Sequence, residues 1–467
     1  MWVLLVSQVI HSQQFIADTS IDANLEGSLV SADTMSLRDA FMQAQLKVHW
    51  RTFMMNTVNE GSLKDDYAIA TGAGIGITTK QFHGFQLGLS GFFIYNLNSS
   101  NLEFPDTFTN ASNRYEVGLF DVQSPARKNN LYRLEELYVK YQDSKSSVVV
   151  GKMNINTPFL NPQDGRMRPT LEEGVWIRID ESQRVKFSGG WIWGVAPRST
   201  MQWFKLDESI GVYPSGVNAE GAKSDYYGNI NSKGIFIANA AVLLGRNSQL
   251  HLWNGFLENV MNTSLIELTS QTDVSRPVKL YAGLMFLHQN ALHESGNPSS
   301  KKTYIQQSAI SNVISSQMGI KYNRLNTSLN HTHITGDGQY LMPREWGREP
   351  FYTFMPRERS EGFGGLSALV LKTEYLSKDE RFTTGFGYGI FQLPDVKNYR
   401  LNKYGMPSYR QMNFDVAYKF SGKLNGLAIR FIAAYKLGTG ETYNNMKYVY
   451  NKVNMINNNL IIDFTIK

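Results

Sequence analysis

Gln411-Met412-Asn413-Phe414-Asp415-Val416-Ala417-Tyr418-Lys419 and, after a short polar break, Leu427-Ala428-Ile429-Arg430-Phe431-Ile432-Ala433-Ala434-Tyr435-Lys436 decide the fold. In the first run Met412, Phe414, Val416 and Tyr418 alternate with Gln411, Asn413, Asp415 and Lys419. In the second, Leu427, Ile429, Phe431, Ala433 and Tyr435 alternate with Ala428, Arg430 and Lys436. Successive side chains on a strand point to opposite sides, so each run has one apolar and one polar face. A soluble sandwich usually crowds charges onto its wet face. Here the polar face carries isolated charges among Gln, Asn, Gly, Ser and Thr, and the apolar face often ends in an aromatic ring. Such rings suit a membrane interface, and alternating segments of about ten residues between turns are the signature of a transmembrane barrel.

The same period recurs outward from this hairpin, from about residue 40 to the end. Ala44, Leu46, Val48 and Trp50 alternate with Gln45, Lys47, His49 and Arg51. Phe85, Leu87, Leu89, Gly91, Phe93 and Tyr95 alternate with Gln86, Gly88 and Ser90, and Val185, Phe187, Gly189, Trp191 and Trp193 with Lys186, Ser188 and Gly190. Short turns are predicted at Lys80-Gln81, Gln142–Lys145, Glu181–Arg184, Arg246-Asn247, Ser377–Glu380 and Ser421–Asn425. Long connections are predicted near 98–130, 157–173, 196–230, 291–308, 337–364 and 392–409. Short turns at one end and long loops at the other describe a barrel of roughly 16 to 18 strands. Leu460, Ile462, Phe464 and Ile466 share one face of a strand that runs to the chain terminus, as closure requires.

Composition agrees. The 467 residues carry 46 Lys+Arg against 40 Asp+Glu, and only 18% are charged, below the roughly 25% usual for soluble domains. Hydrophobic residues at 42% exclude disorder, and the absence of cysteine excludes disulfide scaffolds and thiol chemistry. No stretch approaches the ~18 apolar residues of a spanning helix; Ile235 to Leu244 is broken by Asn239. The net charge of +6 is spread along the chain, so no nucleic-acid partner is expected. Trp2 to Ile10 reads as the apolar part of a signal peptide, with cleavage after Ser12. The basic leader expected before it is absent, which fits a truncated start. The chain therefore divides into a signal peptide (1–12), a lead-in segment (13–39) and a barrel (40–467).

Two stretches resemble the OprD-like family of outer-membrane porins. One is Val150-Gly151-Lys152-Met153 with Pro158-Phe159-Leu160, Asp164-Gly165-Arg166-Met167-Arg168-Pro169 and Glu173-Gly174, similar to a strand entering a constriction loop. The other is Phe420-Ser421-Gly422-Lys423-Leu424-Asn425-Gly426-Leu427-Ala428-Ile429-Arg430, similar to the family's penultimate hairpin. Ile432 stands where the family often has a second arginine. Met342-Pro343-Arg344-Glu345-Trp346-Gly347-Arg348-Glu349-Pro350, continuing to Arg357-Glu358-Arg359, resembles a signature of the Bacteroidetes-type branch. The resemblance implies an antiparallel barrel of about 18 strands with inward-folded loops in a Gram-negative outer membrane. It also implies selective passage of small solutes, often carrying a carboxylate: amino acids, peptides or organic acids.

Alternation itself places Lys47, Arg51, Lys186, Lys321, Lys372, Arg381, Lys419 and Arg430 on the inner wall, with Glu374, Asp415 and Asp463 as the acids. A cation excess in a narrow channel attracts and guides anionic or zwitterionic solutes. Asp164-Gly165-Arg166-Met167-Arg168 is the sharper candidate: Gly165 permits a bend, and two arginines two residues apart can face one way. The bland reading makes Arg166 a partner of Asp164 that pins the loop. The Arg344–Arg359 cluster reads as a structural latch.

Catalytic templates fail: there is no His-Glu-x-x-His, Gly-x-Ser-x-Gly or Walker loop. Gly72-x-Gly74-x-Gly76 lacks the helix a dinucleotide loop needs. His331 and His333 share a face without a third metal ligand. Glu135-Glu136 and Glu172-Glu173 are adjacent, so each pair is expected to split between the two faces. The reading is an outer-membrane channel in contact with lipid, with no cofactor and no metal, monomer and homotrimer both left open. The rivals are a surface-binding adhesin barrel and a lipid-hydrolase barrel.

Overall fold

The alternating segments form one antiparallel sheet that closes on itself. The structure, a computed structural model, describes residues 35–163, 165–275 and 277–466. The expected signal peptide, residues 13–34 of the lead-in segment and Asp164 lie outside the described residues. The first strands are β1 (Gln45–Asn59), β2 (Asp66–Thr78), β3 (Phe85–Ser99), β4 (Leu131–Asp143), β5 (Ser146–Met153), β6 (Leu171–Ile179) and β7 (Val185–Ala196). A two-residue β8 (Phe204–Lys205) precedes β9 (Ile235–Leu244), β10 (Ser248–Leu257), β11 (Met261–Ser275), β12 (Val278–Ala291) and β13 (Ile310–Tyr322). The last are β14 (Leu325–Ile334), β15 (Ser367–Leu376), β16 (Phe382–Gln392), β17 (Tyr409–Lys419), β18 (Leu427–Gly438) and β19 (Met455–Ile466).

Eighteen strands make the wall. β8 pairs only with Gly194 and Val195 of β7, above the point where β7 pairs directly with β9. Closure is β1 against β19, in register from Val48 opposite Ile466 to Asn59 opposite Met455. The apolar face points outward: Phe93 is 56% exposed and Leu371 41% in the bare protein, an area that lipid covers. The polar face points into the lumen, where inward loops cover it so well that Asn457 and Gln411 are fully buried.

The short turns 79–84, 144–145, 180–184, 245–247, 323–324, 377–381 and 420–426 all lie at one end. The helix Leu37–Met42 lies against this end, with the Lys80 amide donating to the Ala40 carbonyl. The long loops 100–130, 154–170, 197–234, 292–309, 335–366, 393–408 and 439–454 lie at the other. The predicted asymmetry has two exceptions. Connections 60–65 and 258–260 are short although they lie at the long-loop end; the second turns tightly through Asn259 at φ 65.

One sequence expectation is corrected. Glu135 and Glu136 both turn inward, because the register of β3 and β4 shifts between Leu89 and Gly91. That bulge sets two residues of β4 against Ser90, whose hydroxyl bonds Glu136, while Glu135 meets Arg133 and Arg168. A glycine is required where β5 hands over to loop 154–170. Gly151 has φ +120, and a Cβ there would stand 2.3 Å from the Leu137 carbonyl oxygen.

Arginine introduced on the lipid face has no water to solvate it. Leu371→Arg, in the middle of outward β15, is expected to lower unfolding free energy in vesicles by about 2–4 kcal/mol, read by urea titration.

Candidate functional site

The loops that fold inward interlock before they narrow the lumen. Asn161 is the crossing point of loops 154–170 and 335–366: its amide nitrogen donates to the Arg348 carbonyl at 2.9 Å and its oxygen accepts the Arg348 amide at 3.0 Å. Gly347 passes so close that a Cβ would lie 2.3 Å from that oxygen. Trp346, buried, donates its ring N–H to Ser209 of loop 197–234 at 2.9 Å. Arg344 pairs with Glu361 at 2.7 Å and lies over the Tyr404 ring. Two N–H groups, of Gly211 and Tyr213, donate to one oxygen of Glu345. Burial pushes the Glu345 carboxyl up to about 7.

The interlocked loops leave a cavity of about 1820 Å³. Arg166, Arg198, Arg348, Arg357, Lys372 and Arg430 are among the residues lining it. Arg166 is 6% exposed, and its Nη1 donates to the Gly165 carbonyl at 2.8 Å. Arg198 lies beside Tyr213. Arg357 sits at φ 71, a conformation held by β19: Nε donates to Asn457 Oδ1 at 2.7 Å and Nη2 to Asn459 Oδ1. Lys372 donates to the Tyr352 carbonyl at 2.7 Å, and Arg430 pairs with Asp415 on the next strand. Among the described residues no carboxylate lies within ion-pair distance of Arg166, Arg198 or Arg357.

The three guanidiniums feel one another. Burial first, then Arg357, draws Arg166 down to about 9. Burial and then Arg166 bring Arg198 to about 9; burial and then Arg198 bring Arg357 to about 10. All remain cations at neutral pH. The result is a concentrated positive field whose hydrogen-bond partners are neutral oxygens, ready to take a carboxylate or another anion.

The structure sorts the residues singled out from the sequence. Arg166, Lys372 and Arg430 reach the cavity. Arg51 and Arg168 fasten the constriction loop to the wall. Arg51 pairs with Asp463 at 2.6 Å and donates to the Arg166 carbonyl at 2.9 Å, while Arg168 binds Glu135. Lys47, Lys186, Lys321 and Lys419 face the lumen near the short-turn end, outside the cavity lining, and Lys186 pairs with Asp180 at 2.8 Å. Arg381 is displaced from the expected wall position. β16 begins one residue later, leaving Arg381 in the turn, where it pairs with Asp379 at 2.6 Å. Arg198 was missed, and Arg348 and Arg357 were noted only within a latch. All three sit in loops, where no period assigns a face. The latch and the cavity share one segment, 344–359.

A closed barrel narrowed by inward loops around a cationic cavity defines an outer-membrane diffusion channel. The family model described as outer membrane porin, OprD family, matches residues 40–357, and the chain belongs to that family. No curated protein matches the chain. Its fold is that of Pseudomonas aeruginosa OpdK, solved with vanillate, at 16% identity and a TM-score of 0.70 over 91% of this chain and 99% of that one. Pseudomonas aeruginosa OccK9 (OpdG) gives 16%, 0.71, 91% and 99%. OccK2 (OpdF) of the same organism, in complex with glucuronate, gives 15%, 0.67, 91% and 98%. The protein is thus a porin of a Gram-negative outer membrane and a channel rather than an enzyme.

Glu345 yields a pH test. Its folded pKa lies above the ordinary carboxylate value of about 4.3, so its ionisation is disfavoured by folding. The associated stability is complete below about pH 4 and lost as pH rises through about 7. Glu345→Gln keeps an oxygen for both N–H donors. It is expected to gain about 1–3 kcal/mol over the native protein at pH 8 and nothing at pH 4, read by urea unfolding.

Proposed function

We propose that this porin prefers anions and passes small carboxylate-bearing solutes by passive diffusion. The observation that carries the reading is the Arg166–Arg198–Arg357 cluster, whose charge meets no carboxylate among the described residues. A planar carboxylate can take two parallel N–H bonds from a guanidinium and so replace its lost water. Conduction also needs release. Arg430, further along the lumen wall, already holds Asp415, so it attracts an anion more weakly and lets it leave. Vanillate and glucuronate, the ligands named for two proteins of this fold, both carry a carboxylate. No covalent step is involved; pore width, charge and hydrogen-bonding groups do the selection.

In a salt gradient across a planar bilayer, the reversal potential should show anion preference that weakens as ionic strength rises. Cation preference at low salt would overturn the reading. Arg166→Ala, Arg198→Ala and Arg357→Ala should each lower carboxylate uptake into liposomes about tenfold, while small-ion conductance stays equal or rises. Asn459→Asp tests the same point without removing an arginine. A carboxylate beside Arg357 should cancel its charge and reduce anion preference, with heat-modifiable migration unchanged.

A further inference from the structure

Among the described residues His49 is the one histidine built into the anchorage of the constriction loop. It faces the lumen from β1, between Lys47 and Arg51 on the same face. Its Nε2 lies 2.8 Å from Asp463 Oδ1 on β19. Its Nδ1 lies 3.1 Å from Nη1 of Arg168, in the return limb of loop 154–170. Phe92 of β3 closes one side, 5.8 Å between ring centroids, and the Arg168 guanidinium lies 4.0 Å over the same phenyl ring. β2 contributes Gly74 opposite His49, so no side chain comes from there.

The partners dictate the protonation state. A guanidinium has only donors, so Arg168 must donate to a bare Nδ1 lone pair. The ring proton then sits on Nε2 and is donated to Asp463. The histidine is neutral, and it joins the loop to strand β19. A second proton can be added only at Nδ1, directly against the Arg168 N–H. Protonation therefore removes an acceptor, opposes two donors and places a third cation beside Arg51 and Arg168. Among the described residues Asp463 is the only carboxylate touching the ring, and Arg51 already occupies it at 2.6 Å through Nε and 3.3 Å through Nη2. Glu135 and Glu136 of β4 do not contact the ring; Glu135 is held by Arg133 and Arg168, and Glu136 by Ser90.

We infer that His49 is a proton-sensing positioning residue, which holds the constriction loop against the wall when neutral and pushes Arg168 away when protonated. Arg168 is two residues from Arg166, whose carbonyl takes the Arg51 bond, so a displaced Arg168 moves the limb that carries a cavity arginine. Arg168 retains Glu135, and Arg133 retains the Pro169 carbonyl at 2.8 Å, so the limb loosens without leaving the lumen. The change occurs as pH falls through the acid range in which the imidazole takes up its second proton. The inference rests on the chain being a channel and not on which solute it prefers.

Single channels in KCl alone, without any carboxylate solute, test it. Between pH 8 and pH 5 the native protein should show a several-fold rise in current fluctuations between sub-states, following a single-proton curve. His49→Gln offers an oxygen to Arg168 and an N–H to Asp463 but does not titrate, so its traces should keep the pH 8 behaviour throughout. Arg168→Met should fluctuate at every pH. Two results overturn the inference: a native trace that does not change over this range, and a His49→Gln trace that changes as the native one does. The first is read on the native protein and needs no variant to fold.

Discussion

Hydrogen bonding of the backbone in lipid is the constraint on which this structure depends. No water reaches the hydrocarbon core, so each strand N–H and C=O exposed there must find a partner in the sheet. An open sheet would leave two unpaired edges, and pairing β1 with β19 over twelve positions removes both. Once the sheet is closed, the two sides of every strand face different solvents. Leu371, Phe93 and Phe414 can point only outward, and Arg430, Lys372 and Asp463 only inward, where water or protein compensates the charge.

The same constraint explains the loops. Irregular backbone at membrane depth is tolerated when it is buried in protein or lines a cavity. The loops therefore turn into the lumen, and wall side chains satisfy their carbonyls. Arg133 shows this most fully: it donates to the carbonyls of Pro169, Pro197 and Thr200, tying two loops to β4. Gln289 of β12 does the same for the Leu341 carbonyl and amide. The polar wall that alternation requires serves as the set of hydrogen-bonding groups from which the constriction is built.

What was legible in the sequence was what has a period. The strands of the final hairpins, the lumen face of Arg430 and the outward face of Phe414 follow from alternation alone. The bulge that turns Glu135 and Glu136 to the same side breaks that period, so adjacency suggested the opposite. Height along a strand is also unwritten in a period of two. Lys321 and Lys372 read alike, yet Lys321 lies beside the turn 323–324 and Lys372 reaches the cavity. Arg198 and Arg357 lie in loops, where no period assigns a face, and the direction of Arg357 is decided by a partner far along the chain, Asn457. The arginines next to Gly165 were visible, but their roles were not. Arg166 and Arg168 differ only in which of them meets Glu135.

Partners also decide which arginine selects and which one holds. The inward column of β19 reads Asn457, Asn459, Ile461, Asp463. At Asp463 the column presents a carboxylate, which takes up the charge of Arg51 and fixes a wall residue beneath the constriction loop. Four and six residues earlier it presents amides, which orient Arg357 without neutralising it. Asn457 and Asn459 bond each other, and Asn457 bonds Thr57 of β1, so the amide pair is fixed by the same seam that closes the barrel. Arginine held by a carboxylate becomes structure. Arginine held by amide oxygens keeps its field for the lumen, and one strand supplies both.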